Sequence, residues 1–137
     1  MKPLTILAVE DDDVDLMSLQ RALREIRLVN PLVRAIDGVE AWEHFFDSED
    51  APREECADIV LLDLNMPRMS GHDFLKKFHE IDNRPACKIF VMTTSDSDQD
   101  IVGAHQYDIA GYLLKSDLVE SLREALEDLE QKWALIA

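Results

Sequence analysis

The sequence predicts a doubly wound α/β fold, in which five parallel β-strands form one sheet with helices on both faces. Five short apolar segments alternate with segments whose apolar residues recur at helical spacing. The apolar segments are typical of strands buried on both faces, as in parallel sheets. Several of them lead directly into polar or charged residues, at the strand ends where open α/β sheets bind ligands.

The first strand covers Leu4 to Val9 and ends in an acidic run, Glu10 to Asp13. A helix follows, because apolar residues then recur every three or four positions, at Leu16, Leu19, Leu23 and Ile26. Asn30-Pro31 closes this helix.

The second strand is short, from Leu32 to Ile36. Asp37 with Glu40 three residues later is typical of a helix start. The second helix then carries on one face Val39, Trp42 and Phe46. Residues 48–55 form an acidic loop.

The third strand, Ile59 to Leu62, delivers one carboxylate, Asp63, to its carboxyl end before Pro67 stops the ladder. An acid emerging from so apolar a strand costs stability unless it is paired, which indicates that Asp63 is kept for chemistry. Ser70 is the candidate cap of a third helix. That helix ends at residues 83–85 and faces inward with Leu75, Phe78 and Ile81.

The last third of the chain completes the alternation. A fourth strand from Lys88 to Met92 ends in Thr93-Thr94-Ser95, and a short helix runs from about Ser97 to Tyr107. A fifth strand from Gly111 to Leu114 ends in Lys115. The last helix, from about Asp117, carries a stripe of Leu118, Leu122, Leu126, Leu129 and Trp133.

The alternation predicts right-handed crossovers and the strand order 2-1-3-4-5, with a ligand crevice where strands 1 and 3 lie side by side. The 137 residues suit one domain, and neither a linker nor a repeat interrupts them. We therefore expect a single domain over 1–137 with no effector domain.

Composition excludes several classes of function. The net charge of −15, from 29 acids against 14 bases, disfavours binding to nucleic acid, which needs clustered Lys and Arg. No apolar run is long enough to span a bilayer, and the start of the chain is unlike a signal peptide. We expect a cytosolic protein with no membrane partner, in which Cys56 and Cys87 are reduced.

The predicted fold gathers five polar residues at the carboxyl edge of the sheet, namely Glu10, Asp11, Asp63, Thr93 and Lys115. Two carboxylates about 4 Å apart repel by about 4 kcal/mol at an effective dielectric near 20, so a cation is needed. Oxygen ligands without His or Cys favour Mg²⁺ or Mn²⁺ over zinc.

Magnesium favours phosphate oxygens as its further ligands, and phosphoryl transfer assigns a role to each residue. Asp63 is the nucleophile, while the metal, Lys115 and the Thr93 hydroxyl neutralise the phosphoryl oxygens. When Thr93 turns towards the phosphate, it vacates space near strand 5, into which Tyr112 can move.

Four motifs in this order resemble the receiver domain of two-component response regulators. They are Val9-Glu10-Asp11, the run from Leu62 to Gly71, Met92-Thr93-Thr94-Ser95, and Gly111-Tyr112-Leu113-Leu114-Lys115. Each is weak alone, but four at this spacing are highly specific. The resemblance covers nearly the whole chain and implies the flavodoxin-like (βα)5 receiver fold.

The resemblance implies that Asp63 accepts a phosphoryl group from a phosphohistidine of a sensor histidine kinase or phosphotransfer protein, and that the domain itself catalyses the transfer. It implies that Mg²⁺ is held by Glu10, Asp11, Asp63 and the backbone carbonyl of Asn65. Asn65 and Ser95 would tune hydrolysis of the acyl phosphate. Thr93 and Tyr112 would couple phosphate to a face, formed by the fourth predicted helix, strand 5 and the last helix, that a downstream protein reads.

Two residues depart from the family pattern. Glu10 replaces the commoner Asp and adds a methylene, which leaves room for a water between carboxylate and metal. Ser116 replaces the proline that usually follows the lysine, so the sequence leaves open whether the Lys115–Ser116 bond is cis. Because we expect no effector domain, the chain resembles stand-alone regulators that accompany hybrid or phytochrome-type kinases.

Other interpretations fit less well. A calcium loop starting at Asp11 fails, since its sixth and twelfth positions are Leu16 and Ala22. A haloacid-dehalogenase-like phosphohydrolase is one alternative, but it needs Asp where this chain has Asn65. A phosphorylation-independent interaction module with a decayed site is the other alternative, although all five site positions hold competent residues. The last helix leaves two options open, because its apolar residues can cover the sheet or lend Trp133, Leu135 and Ile136 to a homodimer.

Overall fold

The computed structural model describes residues 4–64, 66, 68–93 and 107–127. The strands are β1 (Ile6–Val9), β2 (Leu32–Ala35), β3 (Ile59–Asp63), β4 (Lys88–Thr93) and β5 (Gly111–Leu114). The helices are α1 (Asp13–Glu25), α2 (Gly38–Phe45), α3 (Gly71–His79) and, after a 3₁₀ turn at Lys115–Asp117, α4 (Leu118–Glu127). All of the helix predicted over 97–107 except Tyr107, which lies in a bend, falls outside the described residues, as do Asn65, Ser95, Leu129, Trp133, Leu135 and Ile136.

The five strands form one sheet in the order β2-β1-β3-β4-β5, and every neighbouring pair is parallel. This confirms the predicted fold class and strand order. The order reverses between β1 and β3, so the crevice at their carboxyl ends is the expected place for a ligand.

Side chains alternate between two hydrophobic cores, one on each face of the sheet. The first core lies under α2 and α3, and its largest members are Trp42, Phe45, Phe46, Phe74, Leu75 and Phe78. The second lies under α1 and α4 and includes Leu16, Leu19, Leu23, Leu118, Leu122 and Leu126. Consecutive strand residues belong to opposite cores, for example Leu7 to the first and Ala8 to the second.

Three helix predictions are corrected. Phe46 is buried but follows α2 in extended backbone, and Ala41, Trp42 and Phe45 form the buried face of that helix, while Val39 is only half-buried. The third helix ends at His79, well before Pro85. Ile26 and Ile81 each follow the last turn of their helix and pack half-buried against its core.

The predicted helix starts at Asp37 and Ser70 are confirmed. Asp37 caps α2 by accepting from the Glu40 N–H at 2.9 Å, and the Glu40 carboxylate accepts from the Ile36 N–H at 2.9 Å. In the usual capping box this second bond comes from the N–H of the capping residue itself. Here it comes from the residue before the cap, and β2 ends at Ala35. Ser70 caps α3 by accepting from the Asp73 N–H.

None of the helices in the described ranges is long and apolar enough to cross a membrane.

Candidate functional site

Three carboxylates converge at the carboxyl ends of β1 and β3. Glu10, Asp11 and Asp63 each present an oxygen, and these oxygens all lie within 4.8 Å of one another. Glu10 is only 1% exposed and Asp63 5%, whereas Asp11 is exposed to solvent. The sequence predicts this juxtaposition. Two of the three carboxylates are buried, and the third faces water.

The alternation of the strands explains why these side chains meet. Glu10 continues the register of Ala8, and Asp63 that of Leu61, and both apolar residues belong to the core under α1 and α4. Because Ala8 and Leu61 are register partners in adjacent strands, the acids that follow them lie side by side. Asp63 is the last residue of β3, so its backbone is fixed by the ladder.

Lys115 brings one positive charge to the acids from the far side of β4. Its ammonium lies 2.7 Å from Glu10 Oε1, 3.1 Å from Asp63 Oδ2 and 3.0 Å from Asp15 Oδ2. Burial alone would lower the pKa of Lys115, but its hydrogen bonds to Glu10 and Asp15 and the charge of Asp63 raise that pKa above the usual value. One ammonium is therefore shared by three carboxylates, and Asp11 adds a fourth negative charge to the site.

Asp15 is the residue that the sequence analysis missed. It lies in the first turn of α1, which begins at Asp13 after the cap Asp12. Asp11 precedes the helix, so no helical spacing in the sequence links Asp15 to the other acids of the site. Its pairing with Lys115 spans 100 positions of the chain, so only the fold brings the two together.

Glu10 is the most perturbed acid of the site. Burial raises its pKa to about 7, an effect to which Asp63 adds and which the hydrogen bond from Lys115 opposes. Its backbone is held by the Glu10 N–H bond to Ala35 O at 2.9 Å and by the Arg34 Nε bond to Glu10 O at 3.0 Å. The same Arg34 pairs with Asp13, which ties the acidic loop to β2.

The connection after Asp63 is anchored to α2. Arg68 forms an ion pair with Asp37, and the Gly38 N–H donates to Met69 O at 2.9 Å. Burial alone would raise the pKa of Asp37, but the hydrogen bonds from Arg68 and from the Glu40 N–H lower it below the usual value. Asp37 therefore holds two elements at once, the start of α2 and the β3–α3 loop.

Two tight packing contacts fix the same loop. A Cβ on Gly38 would lie 2.4 Å from Met69 O, and a Cβ on Gly71 would lie 2.4 Å from Asp63 O. The Gly71 N–H also donates to Leu64 O at 3.0 Å. Glycine at position 71 thus allows α3 to start directly against the backbone of Asp63.

Thr93 and Tyr112 lie on the face of the sheet that α2 and α3 cover. Thr93 is the last residue of β4, is 6% exposed and follows Met92, the register partner of Asp63. Tyr112 is the register partner of Val91, two residues before Thr93, and so shares its face. Tyr112 is half-buried, and burial raises the pKa of its hydroxyl.

The donor set suits a hard divalent cation. Three carboxylate oxygens in a 4.8 Å group match the ligand type that Mg²⁺ and Mn²⁺ take, and the exposed side of Asp11 leaves room for water or phosphate ligands. Glu10, Asp11 and Asp63 would hold such an ion. Asn65 lies outside the described residues. Every peptide bond in the described ranges is trans, including that between Lys115 and Ser116.

Sequence comparison identifies relatives of matching size. The chain is 30% identical over 131 residues to the probable methanogenesis regulatory protein FilR2 of Methanothrix harundinacea, covering 96% of this chain and 84% of that protein. It is 25% identical over 131 residues to the response regulator Rcp1 of Synechocystis, covering 96% of this chain and 89% of that protein.

Structural comparison gives neighbours of the same kind. The bacteriophytochrome response regulator AtBRR superimposes with a TM-score of 0.82 at 28% identity, covering 99% of each chain. The phosphorylated cyanobacterial phytochrome response regulator RcpA gives 0.73 at 25%, covering 98% of this chain and 99% of that one. The Mn²⁺-bound form of Rcp1 gives 0.72 at 26%, covering 98% of this chain and all of the other.

The match to a family model decides the assignment. The model of the response regulator receiver domain matches residues 6–127, which include the acidic cluster, the end of β4 and Lys115. This chain belongs to the response regulator receiver domain family of two-component signalling, and its sequence and structure are close to those of phytochrome response regulators.

Proposed function

We propose that Asp63 receives a phosphoryl group from a phosphohistidine of a sensor histidine kinase or histidine phosphotransfer protein. The observation that carries the proposal is the cluster of Glu10, Asp11 and Asp63, with Lys115 paired to Glu10 and Asp63. Asp63 stands at the end of a buried strand, where one carboxylate oxygen can be presented to a donor while the other stays bound to Lys115.

The transfer is a substitution at phosphorus. An oxygen of Asp63 forms a bond to phosphorus, the bond from phosphorus to the donor's imidazole nitrogen breaks, and its electron pair returns to the imidazole. The product on Asp63 is an acyl phosphate, whose negative charge Lys115 would offset and to whose oxygens the Thr93 hydroxyl would donate a hydrogen bond. The chain's own residues thus catalyse the step, and water later hydrolyses the acyl phosphate.

We assign the metal as Mg²⁺, with Mn²⁺ as a substitute. When bound, it supplies positive charge to the phosphoryl oxygens in the transition state. Glu10, Asp11 and Asp63 would hold it together with the backbone carbonyl of Asn65. The raised pKa of Glu10 supports this role, because Lys115 alone does not offset the cost of burying the negative charge of Glu10.

Phosphorylation of Asp63 would be signalled to other proteins at the β5 edge of the sheet. We assign Thr93 and Tyr112 to the coupling of phosphate to the face formed by the helix predicted over 97–107, β5 and the last helix. Asn65 and Ser95 would tune the lifetime of the acyl phosphate. The close relation to phytochrome response regulators favours a phytochrome-type or hybrid kinase as donor, and the same output face is the proposed contact for a downstream protein or a second copy of the chain.

The proposal is tested by phosphorylation with labelled acetyl phosphate. We expect Mg²⁺-dependent incorporation that EDTA prevents and hydroxylamine removes, as for an acyl phosphate. Asp63→Asn should abolish it, while the control Asp73→Asn, at an exposed position in the first turn of α3, should label as the wild type does. Equal labelling of Asp63→Asn and wild type would refute the assignment.

A further inference from the structure

Lys115 has all three of its ammonium hydrogens committed in this structure. An ammonium carries three donors, and three carboxylates lie within 3.1 Å of Nζ, those of Glu10, Asp63 and Asp15. A phosphoryl oxygen can reach Lys115 only if one of these three contacts is given up.

Burial decides which contact is the cheapest to break. The side chains of Glu10 and Asp63 are 1% and 8% exposed, so neither can exchange Lys115 for water. The side chain of Asp15 is 41% exposed and can turn into water. Asp15 also lies outside the group of acids whose oxygens lie within 4.8 Å of one another, so its release would not remove a ligand from a divalent ion held by that group.

We infer that Asp15 is a positioning residue that occupies the place of the phosphoryl oxygen on Lys115 and competes with it. This rests on the proposed function of Asp63. In the unphosphorylated protein, Asp15 saturates the third donor of Lys115 and holds the ammonium beside Asp63. When a phosphoryl group arrives, Lys115 exchanges Asp15 for a phosphoryl oxygen, and the carboxylate of Asp15 is released to solvent at the start of α1.

The exchange predicts a direction for a charge-removing substitution. Asp15→Asn keeps the size of the side chain and an acceptor oxygen but removes a negative charge close to the incoming anion. We expect the donor concentration at half-maximal rate to fall by about three- to tenfold at low salt, the size of one partly screened charge pair, with little change in the maximal rate. The shift should shrink as ionic strength rises.

Asp13→Asn is the matched control. Asp13 lies in the same turn of α1, and its substitution by Asn removes the same charge. Its side chain is 82% exposed and pairs with Arg34 instead of Lys115. Labelling with acetyl phosphate over a range of donor concentrations, in both variants and in wild type, separates a specific effect from a general loss of charge. The inference is supported if only Asp15→Asn shifts the half-saturating concentration.

A second measurement needs neither metal nor donor. In EDTA, thermal unfolding of Asp15→Asn, Lys115→Gln and the double variant forms a double-mutant cycle. We expect Asp15→Asn to lower the melting temperature when Lys115 is present. When Lys115 is absent, we expect it to raise the melting temperature or leave it unchanged, because Asp15 then only repels the other acids. Equal shifts in both backgrounds would show that Asp15 does not hold Lys115.

The outcomes separate the two proposals. If labelling requires Asp63 but Asp15→Asn and Asp13→Asn behave alike, the competition by Asp15 is refuted and the proposed function stands. If labelling persists in Asp63→Asn, the proposed function fails, and the exchange on Lys115 fails with it.

Discussion

The acidic cluster makes a prediction in which one substitution reverses its effect on stability when metal is added. Asp11→Asn removes one of the three carboxylates whose oxygens lie within 4.8 Å of one another, and it removes the exposed one. Without metal, the variant loses repulsion and should melt higher than the wild type. With Mg²⁺, it loses a ligand and should melt lower.

The structure sets the size of both effects. At 4.8 Å, two unit charges repel by about 0.9 kcal/mol in water and about 3.5 kcal/mol at an effective dielectric near 20, and the exposure of Asp11 places its pairs near the lower value. Two such pairs, partly offset by Lys115, leave a gain of about 1 kcal/mol for the variant. In a chain of this size that corresponds to about 3 °C in melting temperature.

Ligand linkage sets the opposite effect. Mg²⁺ at about 100 times its dissociation constant stabilises the wild type by about 2.7 kcal/mol, or about 8–10 °C. Asp11→Asn should lose most of this shift. The metal-free comparison is best made near pH 8.5, where Glu10, whose pKa burial raises to about 7, carries its full charge.

The assay is thermal unfolding by circular dichroism in EDTA and in a series of Mg²⁺ concentrations, with Asp13→Asn as the control for charge. Asp13 pairs with Arg34 outside the 4.8 Å group, so its substitution should leave the Mg²⁺ shift intact. The reasoning is wrong if Asp11→Asn melts below the wild type in EDTA, or if Mg²⁺ stabilises both proteins equally.

Two further predictions follow from the packing around the site. Gly71→Ala should destabilise the fold by about 1–3 kcal/mol, because its Cβ would lie 2.4 Å from Asp63 O. Gly111→Ala should be close to neutral, because the nearest atom to its Cβ would lie at 3.4 Å. Equal denaturant midpoints for the two variants would contradict this prediction. Tyr112, half-buried in the present structure, should become more buried when Asp63 is phosphorylated; a structure of the phosphorylated protein in which Tyr112 has not moved would remove it from the proposed switch.

Sequence patterns were sufficient for the architecture because they depend on local chemistry. The apolar runs before Glu10 and Asp63 are buried on both faces, and the caps at Asp37 and Ser70 form as their spacing predicts. Helix ends were predicted less well. Phe46 and Ile81 continue an apolar period past the last helical turn, because core contacts bury a side chain on extended backbone as readily as on helical backbone.

The sequence by itself determined the parallel sheet, its strand order and the set of residues at its carboxyl edge. The parallel sheet and the residues at its edge follow from hydrophobic periodicity and from the rule that strands of a parallel sheet end at one edge, while the strand order follows from the resemblance to receiver domains. The tertiary structure alone decided how the charges are shared. Lys115 divides its ammonium among Glu10, Asp63 and Asp15, and the loop after Asp63 is pinned to α2 through Asp37 and Arg68. Such pairings join residues distant in sequence, and they depend on distances of a few ångströms that no local pattern encodes.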